Sequence, residues 1–275
     1  NPRLEVQPDA HNRLSATFIS SSDSLKLNLR RFDSPDDTNR LSQQFTYDEL
    51  WDAQGLAWAH EDGGLRNQLT LSRNYNTNDQ TFEGLSYFSA RPVNVSLIEE
   101  LSLRLRPGLT LGAGAEYTFQ EYPFTVPDFV TGAPRFRDPA IPLVTRLSNF
   151  QDALSNVSQA AYLPQRHVAA LWGELAVGLG PFRLTPSLRG TWNSMSGAVD
   201  LDPRLALTWA PFKNLELVLK GGLYSPLPVP LWAASNFGVT GLPSSFATHA
   251  VAGAKLDAGG FEFRLEGYTK WLANQ

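Results

Sequence analysis

The feature that most constrains this chain is a pair of alternating segments in residues 202–225. The residues that share one face are apolar: Leu205, Leu207, Trp209, Leu215, Leu217 and Leu219. Most of the intervening residues are polar or small. Because successive side chains of a β-strand point to opposite faces, the pattern predicts an antiparallel hairpin with one apolar face. The turn at residues 211–214 contains proline, which lacks an amide proton, where the ladder has already stopped.

The same alternation recurs along the chain and predicts about 12 strands. The predicted strands are 3–7, 13–20, 47–60, 65–75, 93–106, 109–120, 166–179, 182–193, the two segments of the first hairpin, 247–256 and 261–272. Leu25, Leu27 and Leu29 alternate within the otherwise polar stretch 21–44. This short alternation predicts a strand extension or arm beyond the main sheet.

The connections between these strands differ in length in a regular order. Short turns fall near 8–12, 61–64, 107–108, 180–181, 211–214 and 257–260. Between successive short turns lie the longer connections 21–44, 76–92, 121–165, 194–201 and 226–246. In an up-and-down sheet, all short turns then share one end and all long loops the other. This asymmetry is typical of outer-membrane barrels.

The longest connection, residues 121–165, is rich in proline and is predicted to be a long extracellular loop. Phe150, Leu154 and Val157 fall on one stripe at helical spacing, which predicts a short helix near 147–161. Insertions of this length in a compact domain are usually functional or disordered.

Composition excludes several classes of protein. No window approaches 18 consecutive apolar residues, so a transmembrane helix is not expected, whereas a barrel needs only every second residue to be apolar. The net charge of −4 and the scattered basic residues argue against a nucleic-acid partner. The chain has no cysteine, which excludes a disulfide scaffold and a thiolate metal site.

A water-soluble β-sandwich would also alternate, so strand length and charge decide between the two. A strand of about 10 residues rises roughly 33 Å, and at a tilt near 40° it covers about 25 Å of membrane normal. Charged residues fall on the polar face, and each Arg or Lys would cost about 2–4 kcal/mol at the lipid midplane. They are Arg104, Arg183, Arg189, Glu262 and Arg264. The pattern favours a membrane barrel over a soluble β protein.

Aromatic residues near the strand ends suit the two interfacial girdles of such a barrel, although they would also pack an ordinary core. They are Tyr117, Phe119, Trp192, Trp209, Phe212 and Trp271.

The hairpin at 202–222, followed by Tyr224, Pro226 and Pro228, resembles the mid-barrel hairpin of TonB-dependent outer-membrane receptors. Residues 249–253 and 261–272, including the run 266–270 of sequence EGYTK, are similar to the strands that follow it in that family. The resemblance is clearest over 166–275. It implies a 22-stranded barrel around an N-terminal plug that contacts TonB, and energy-dependent uptake of a scarce solute across the bacterial outer membrane.

The chain shows neither a plug nor a TonB box, and it ends without the terminal aromatic that such barrels usually carry. The resemblance therefore implies that residues 1–275 are an interior portion of one barrel domain, with strands missing on both sides. Its expected partners are outer-membrane lipid, TonB through an absent plug, and a small solute. An arc of 12 strands would leave two unpaired edges in lipid, so the fragment should not insert alone.

Catalytic, metal and cofactor sites are not expected. The four histidines are far apart in sequence and match neither HxxxH nor HExxH, and no GxSxG motif occurs. Gly112 and Gly114 lie inside a strand with no following helix, so they do not form a nucleotide loop. They are predicted to relieve crowding on the lumen side.

For a receptor, solute would meet the external loops and the upper lumen. The candidate ligand-binding residues are Tyr122, Phe124, Phe129, Arg135, Arg137, Trp232 and Phe237. Aromatic rings with arginines suit a metal chelate or an oligosaccharide equally. Two alternatives stay open: a passive channel or porin of 12 strands, and a soluble or surface-exposed β-rich binding module.

Overall fold

The computed structural model describes residues 2–30, 42–82, 85–127, 159–228 and 244–273. Within these ranges the regular structure is one antiparallel sheet of 15 strands, and no helix is present. The strands are β1 Arg3–Val6, β2 Asn12–Arg30, β3 Ser42–Asp62, β4 Leu65–Phe82, β5 Leu85–Ala90, β6 Val93–Arg106, β7 Leu109–Glu121, β8 Phe124–Pro127, β9 Gln159–Tyr162, β10 Gln165–Leu179, β11 Phe182–Asn193, β12 Val199–Phe212, β13 Leu215–Tyr224, β14 Phe246–Ala258 and β15 Phe261–Ala273. Among the described residues, no helix could cross a membrane.

The main path of the sheet is an up-and-down order of 12 strands, β1-β2-β3-β4-β6-β7-β10-β11-β12-β13-β14-β15. This confirms the predicted all-β antiparallel architecture and the alternation of short and long connections. The remaining strands form a side branch at the long-loop end, in which β4 pairs with β5, β5 with β8, and β8 with β9.

Strand register brings apolar residues of neighbouring strands into continuous rows. Leu207 of β12 is opposite Leu184 of β11 and Leu219 of β13. One residue along, Thr208 is opposite Arg183 and Val218 on the other face. Directly opposed residues of a ladder share a face, so the main path of the sheet has one mainly apolar face and one mainly polar face.

The apolar face is not covered by a second layer in the described part of the chain, because every strand belongs to the same sheet. Large apolar side chains therefore remain open: Leu205 is 50% exposed, Leu219 57% and Leu171 69%. A soluble sandwich would bury such residues between two sheets. The described apolar core is instead small and lies in the side branch, where Ala90 and Phe124 are buried against Phe88 and Tyr122.

Aromatic residues border the apolar face at both ends, as the sequence predicts. At the short-turn end Phe182 stacks on Trp209 with a ring-centroid distance of 5.8 Å. At the long-loop end the Tyr117 hydroxyl and His167 Nδ1 are 2.7 Å apart. Phe182 and Trp192 bound the face of β11 about 10 residues apart, which corresponds to roughly 25 Å of height for a strand tilted near 40°.

Charged residues follow the predicted division with a few exceptions. The register places Arg104, Arg183, Arg189, Glu262 and Arg264 on the polar face. Glu99, however, lies in an apolar-face row with Leu69 and Ala115, and its Oε1 receives a 3.4 Å hydrogen bond from the Asn67 amide. Nearer the long-loop end of that face, Arg73 Nη1 and Asp52 Oδ1 form an ion pair at 3.2 Å.

Two predicted loops are shorter than expected. Strand β2 continues to Arg30 and strand β3 begins at Ser42, so most of the predicted loop 21–44 is strand. The alternating Leu25, Leu27 and Leu29 belong to β2. The predicted loop 76–92 is likewise occupied by the end of β4 and by β5. The end of β4 contains several Asn residues and an Asp, which have weak strand propensity, but its full pairing with β3 overrides this.

The helix predicted near 147–161 falls mostly outside the described residues. Its last positions, 159–161, lie in β9 and are therefore strand, paired with β8.

Candidate functional site

A groove on the polar face at mid-height is organised around Trp172. Its indole lies flat over Gly114, where an added Cβ would come within 2.1 Å of ring atom Cζ2. Gly112 likewise leaves room for the side chain of Glu174, because a Cβ added to Gly112 would be 2.6 Å from Glu174 Cγ. The prediction that these glycines relieve crowding on the polar side is confirmed, since any larger residue would displace these side chains.

Arg189 covers Trp172 and neutralises one acidic side chain of the groove. Its guanidinium carbon is 5.0 Å from the indole centroid, and Nη2 is 2.6 Å from Glu116 Oε2. Cation–π contact and ion pairing together hold this side chain in one orientation. The groove has a volume of about 380 Å³, and its lining includes Glu100, Glu174 and Arg204.

A second cluster stacks planar groups across β12, β13 and β14. The Arg204 guanidinium lies 4.2 Å from the ring centroid of Tyr224, which stacks on His249 at 4.4 Å. Asp202 accepts a 2.8 Å hydrogen bond from the Ser225 hydroxyl and lies 3.6 Å from Arg204 Nη2. This arrangement fixes the start of the long connection after β13 against the wall of the sheet.

Two further contacts attach the ends of the same connection. Arg166 is buried, donating from Nε to Gln120 Oε1 at 2.7 Å and from Nη1 to the Pro228 carbonyl at 2.5 Å. The Ser244 hydroxyl donates to Asp200 Oδ2 at 2.5 Å. These hydrogen bonds hold the residues that flank the connection close to the polar face.

At the long-loop end of β3 and β4, the polar face carries a network that we call the amide wall: Tyr47, Glu49, Trp51, Asn74, Asn76, Asn78 and Gln80. The Tyr47 hydroxyl donates to Glu49 Oε2 at 2.5 Å, and the Asn76 amide donates to Glu49 Oε1 at 3.2 Å. Asn78 donates to the Tyr47 hydroxyl at 3.3 Å and accepts from Gln80 at 3.1 Å. These residues are partly exposed.

Part of the amide wall lies in a stretch for which the sequence predicts a loop, because both faces of that stretch are polar. Thr77 and Asp79 separate Asn76, Asn78 and Gln80, so no apolar alternation marks a strand there. Tyr47, Glu49, Trp51 and Asn74 lie within the predicted strands 47–60 and 65–75. The usable signal was the repeated amide side chain at every second position.

Of the predicted ligand-binding residues, the structure describes Tyr122 and Phe124 and brings them together. Their ring centroids are 6.3 Å apart in an edge-on arrangement, and Phe124 is 2% exposed. Burial raises the pKa of the Tyr122 phenol above its usual value. Both residues thus pack the side branch of the sheet. Phe129, Arg135, Arg137, Trp232 and Phe237 lie outside the described residues.

Register also brings two histidines together that are far apart in sequence. His60 is opposite Asn12, and its ring centroid lies 6.3 Å from that of His11 at the short-turn end. Among the described residues, however, no group of three or more histidine or acidic side chains could hold a metal ion.

Residues 3–275 match the family described as TonB dependent receptor-like, beta-barrel. The chain belongs to this family. Its fold is accordingly that of an outer-membrane receptor barrel, as the sequence resemblance implied. A search of curated proteins found no match.

Solved structures support the same fold. The ferric enterobactin receptor of Pseudomonas aeruginosa, as a mutant in complex with enterobactin, is 14% identical with a TM-score of 0.67, covering 98% of this chain and 42% of that one. The outer membrane transporter YddB of Escherichia coli is 9% identical with a TM-score of 0.66, covering 94% and 37%. The iron transporter FrpB of Neisseria meningitidis is 14% identical with a TM-score of 0.61, covering 95% and 43%. The chain therefore spans about two-fifths of the length of these structures.

Proposed function

We propose that this chain forms part of the barrel of an outer-membrane receptor that takes up a scarce solute with energy delivered by TonB. The observation that carries the proposal is the single-layer sheet, whose apolar face stays exposed between two aromatic borders. Only hydrocarbon covers such a face without a second protein layer. Family membership over residues 3–275 supports the link to TonB.

The polar face supports a role as the lumen wall. Several of its charges are held in local pairs, such as Arg189 with Glu116 and Lys255 with Glu262. We propose that a plug domain elsewhere in the protein occupies this lumen and contacts TonB, and that the solute is a metal chelate or an oligosaccharide that enters from the long-loop end.

A passive channel of 12 strands would require the first and last strands of the main path to pair. In the described part of the chain, β1 pairs only with β2 and β15 only with β14. Backbone groups on an unpaired edge cost several kcal/mol each in lipid, so a larger barrel whose other strands cover both edges is favoured.

Uptake in matched hosts tests the proposal. Cells making the full-length protein would receive a labelled ferric chelate or a labelled neutral oligosaccharide, each below micromolar concentration, in strains with and without TonB. We expect one solute to accumulate only in the strain with TonB, and accumulation to stop when a protonophore collapses the proton gradient. Equal entry into both strains would support a passive channel, and accumulation of neither solute would count against the receptor.

A further inference from the structure

The amide wall stands beyond the apolar band of the barrel. On the apolar face of β2, β3 and β4 the row of Leu56 and Leu71 is followed by a row that combines Phe18 with Gln54 and Arg73, and Arg73 forms the ion pair with Asp52. Farther toward the long-loop end that face is mostly polar: it carries Ser20, Ser22 and Ser24 of β2 opposite Asp52, Leu50 and Asp48 of β3. Because these rows no longer suit hydrocarbon, the part of the sheet that holds the amide wall lies in water.

The side chains of the amide wall suit a polyhydroxylated solute. Amides and a carboxylate offer both donors and acceptors to hydroxyl groups, and each can contact two neighbouring hydroxyls at once. Tyr47 and Trp51 add flat apolar surfaces, which can cover the C–H face of a sugar ring. Tyr47, Glu49 and Trp51 occupy alternate positions of β3, so this side of the wall is about 13 Å long.

The electrostatics of the wall disfavour an anionic solute. Across the described polar-face positions of β2, β3 and β4 beyond Gly55, the charged residues are Asp23 and Glu49, and none is Lys, Arg or His. The nearest basic group on this face along the sheet is Arg166, which is buried and bonded to Gln120 and the Pro228 carbonyl. Like charges repel a ferric chelate with net negative charge.

We propose that the amide wall binds a neutral oligosaccharide on its way into the lumen, and that this selects an oligosaccharide rather than an anionic chelate as the transported solute. The inference rests on the proposed receptor function and names its substrate class. The wall acts as the first binding surface, because it projects from the long-loop end above the groove of Trp172 and Arg189.

Binding to the purified full-length protein tests this. Neutral oligosaccharides of glucose, xylose and N-acetylglucosamine units, with a ferric catecholate as the anionic probe, would be titrated by calorimetry in detergent. We expect one neutral oligosaccharide to bind, with Trp51→Ala and Asn78→Ala each weakening it at least about tenfold. Gln54→Ala, on the opposite face of β3, should leave binding unchanged.

Two readouts separate the inference from the receptor function. Variants are first checked for retained folding by heat-dependent gel migration, so that loss of binding is not loss of structure. If the catecholate binds and no sugar does, or if Trp51→Ala and Asn78→Ala leave sugar binding intact, the amide wall is not the site. TonB-dependent accumulation that persists in these variants would leave the receptor function standing while overturning this inference, and absence of binding by every sugar would also overturn it.

Discussion

The two faces of this one sheet meet their surroundings in opposite ways. On the apolar face, residues such as Leu171 and Leu205 are largely exposed and need no partner. On the polar face, Arg189 contacts both Glu116 and Trp172, and Arg204 contacts both Asp202 and Tyr224. The same backbone register thus serves two solvents: packing against hydrocarbon is non-directional, whereas the polar contacts of the lumen wall require specific geometry.

The largest loss of folding free energy is expected from placing a charge at the centre of the apolar face. Leu205 lies midway along β12 between Val199 and Trp209, and Leu205→Arg should cost about 2–4 kcal/mol by placing a cation in lipid. Thr185→Arg, on the polar face of the neighbouring strand beside Ala206, is the matched control and should cost little. Urea titration of the full-length protein in lipid vesicles measures both. Equal losses would mean that Leu205 does not face hydrocarbon.

A smaller effect is expected from filling the space beneath Trp172. Gly114→Val would place a Cβ within 2.3 Å of indole atom Cε2 and within 2.7 Å of the Glu99 carbonyl oxygen, costing about 1–3 kcal/mol of folding free energy. Gly267→Val is the control, because nothing lies within 4 Å of a Cβ built there. Trp172 fluorescence would shift only in the first variant. Unchanged stability and emission in Gly114→Val would show that the indole has other room.

The Arg189–Glu116 ion pair of the groove should contribute less to the folding free energy than the Gly114→Val substitution costs. Both side chains are about a quarter exposed, so the coupling between Arg189→Met and Glu116→Gln in a double-mutant cycle is expected to be about 1 kcal/mol. Salt should reduce it only slightly, since the pair is hydrogen-bonded as well as charged. A coupling near zero would imply that Trp172 and Thr191 are enough to hold Arg189.

Alternation of apolar residues was sufficient to predict the main-path strands and their faces. Where Leu101 and Leu103 alternate with Ser102 and Arg104, the period of two identifies both the strand and its orientation. The signal fails where both faces are polar, which is why the sequence predicts a loop for residues 76–82 of β4, whereas Leu25, Leu27 and Leu29 still predict a strand extension at the end of β2. Pairing with a partner strand stabilises those segments, and pairing is not visible in a single stretch of sequence.

The candidate site could be predicted only in part, for a related reason. Gly114 was recognised as a lumen-side glycine, but its partner Trp172 lies 58 positions away and meets it only through the register of β7 with β10. Alternation within β6 already places Glu99 on the face of Leu97 and Leu101, but its hydrogen bond with Asn67 of β4 depends on the register of two strands. Contacts between distant strands therefore required the structure.

The smallest expected effect lies outside both faces, in the short turn before β2. Asp9 Oδ1 accepts hydrogen bonds from the backbone amides of His11 and Asn12, at 2.8 Å each, and from the side-chain amide of Asn12. These hydrogen bonds, that of the Asn12 side chain most of all, lower the pKa of the Asp9 carboxyl below its usual 3.8. A carboxyl whose folded pKa is depressed adds stability above its unfolded pKa and loses it as pH falls toward the folded value. Asp9→Ala should therefore destabilise the protein slightly at pH 6, and the difference from the original protein should be smaller at about pH 3 than at pH 6. Urea unfolding at the two pH values measures this, with Asp9→Asn, which keeps one acceptor oxygen, as the intermediate control. A difference that stays constant across the range would mean that these hydrogen bonds do not depend on the charge of Asp9.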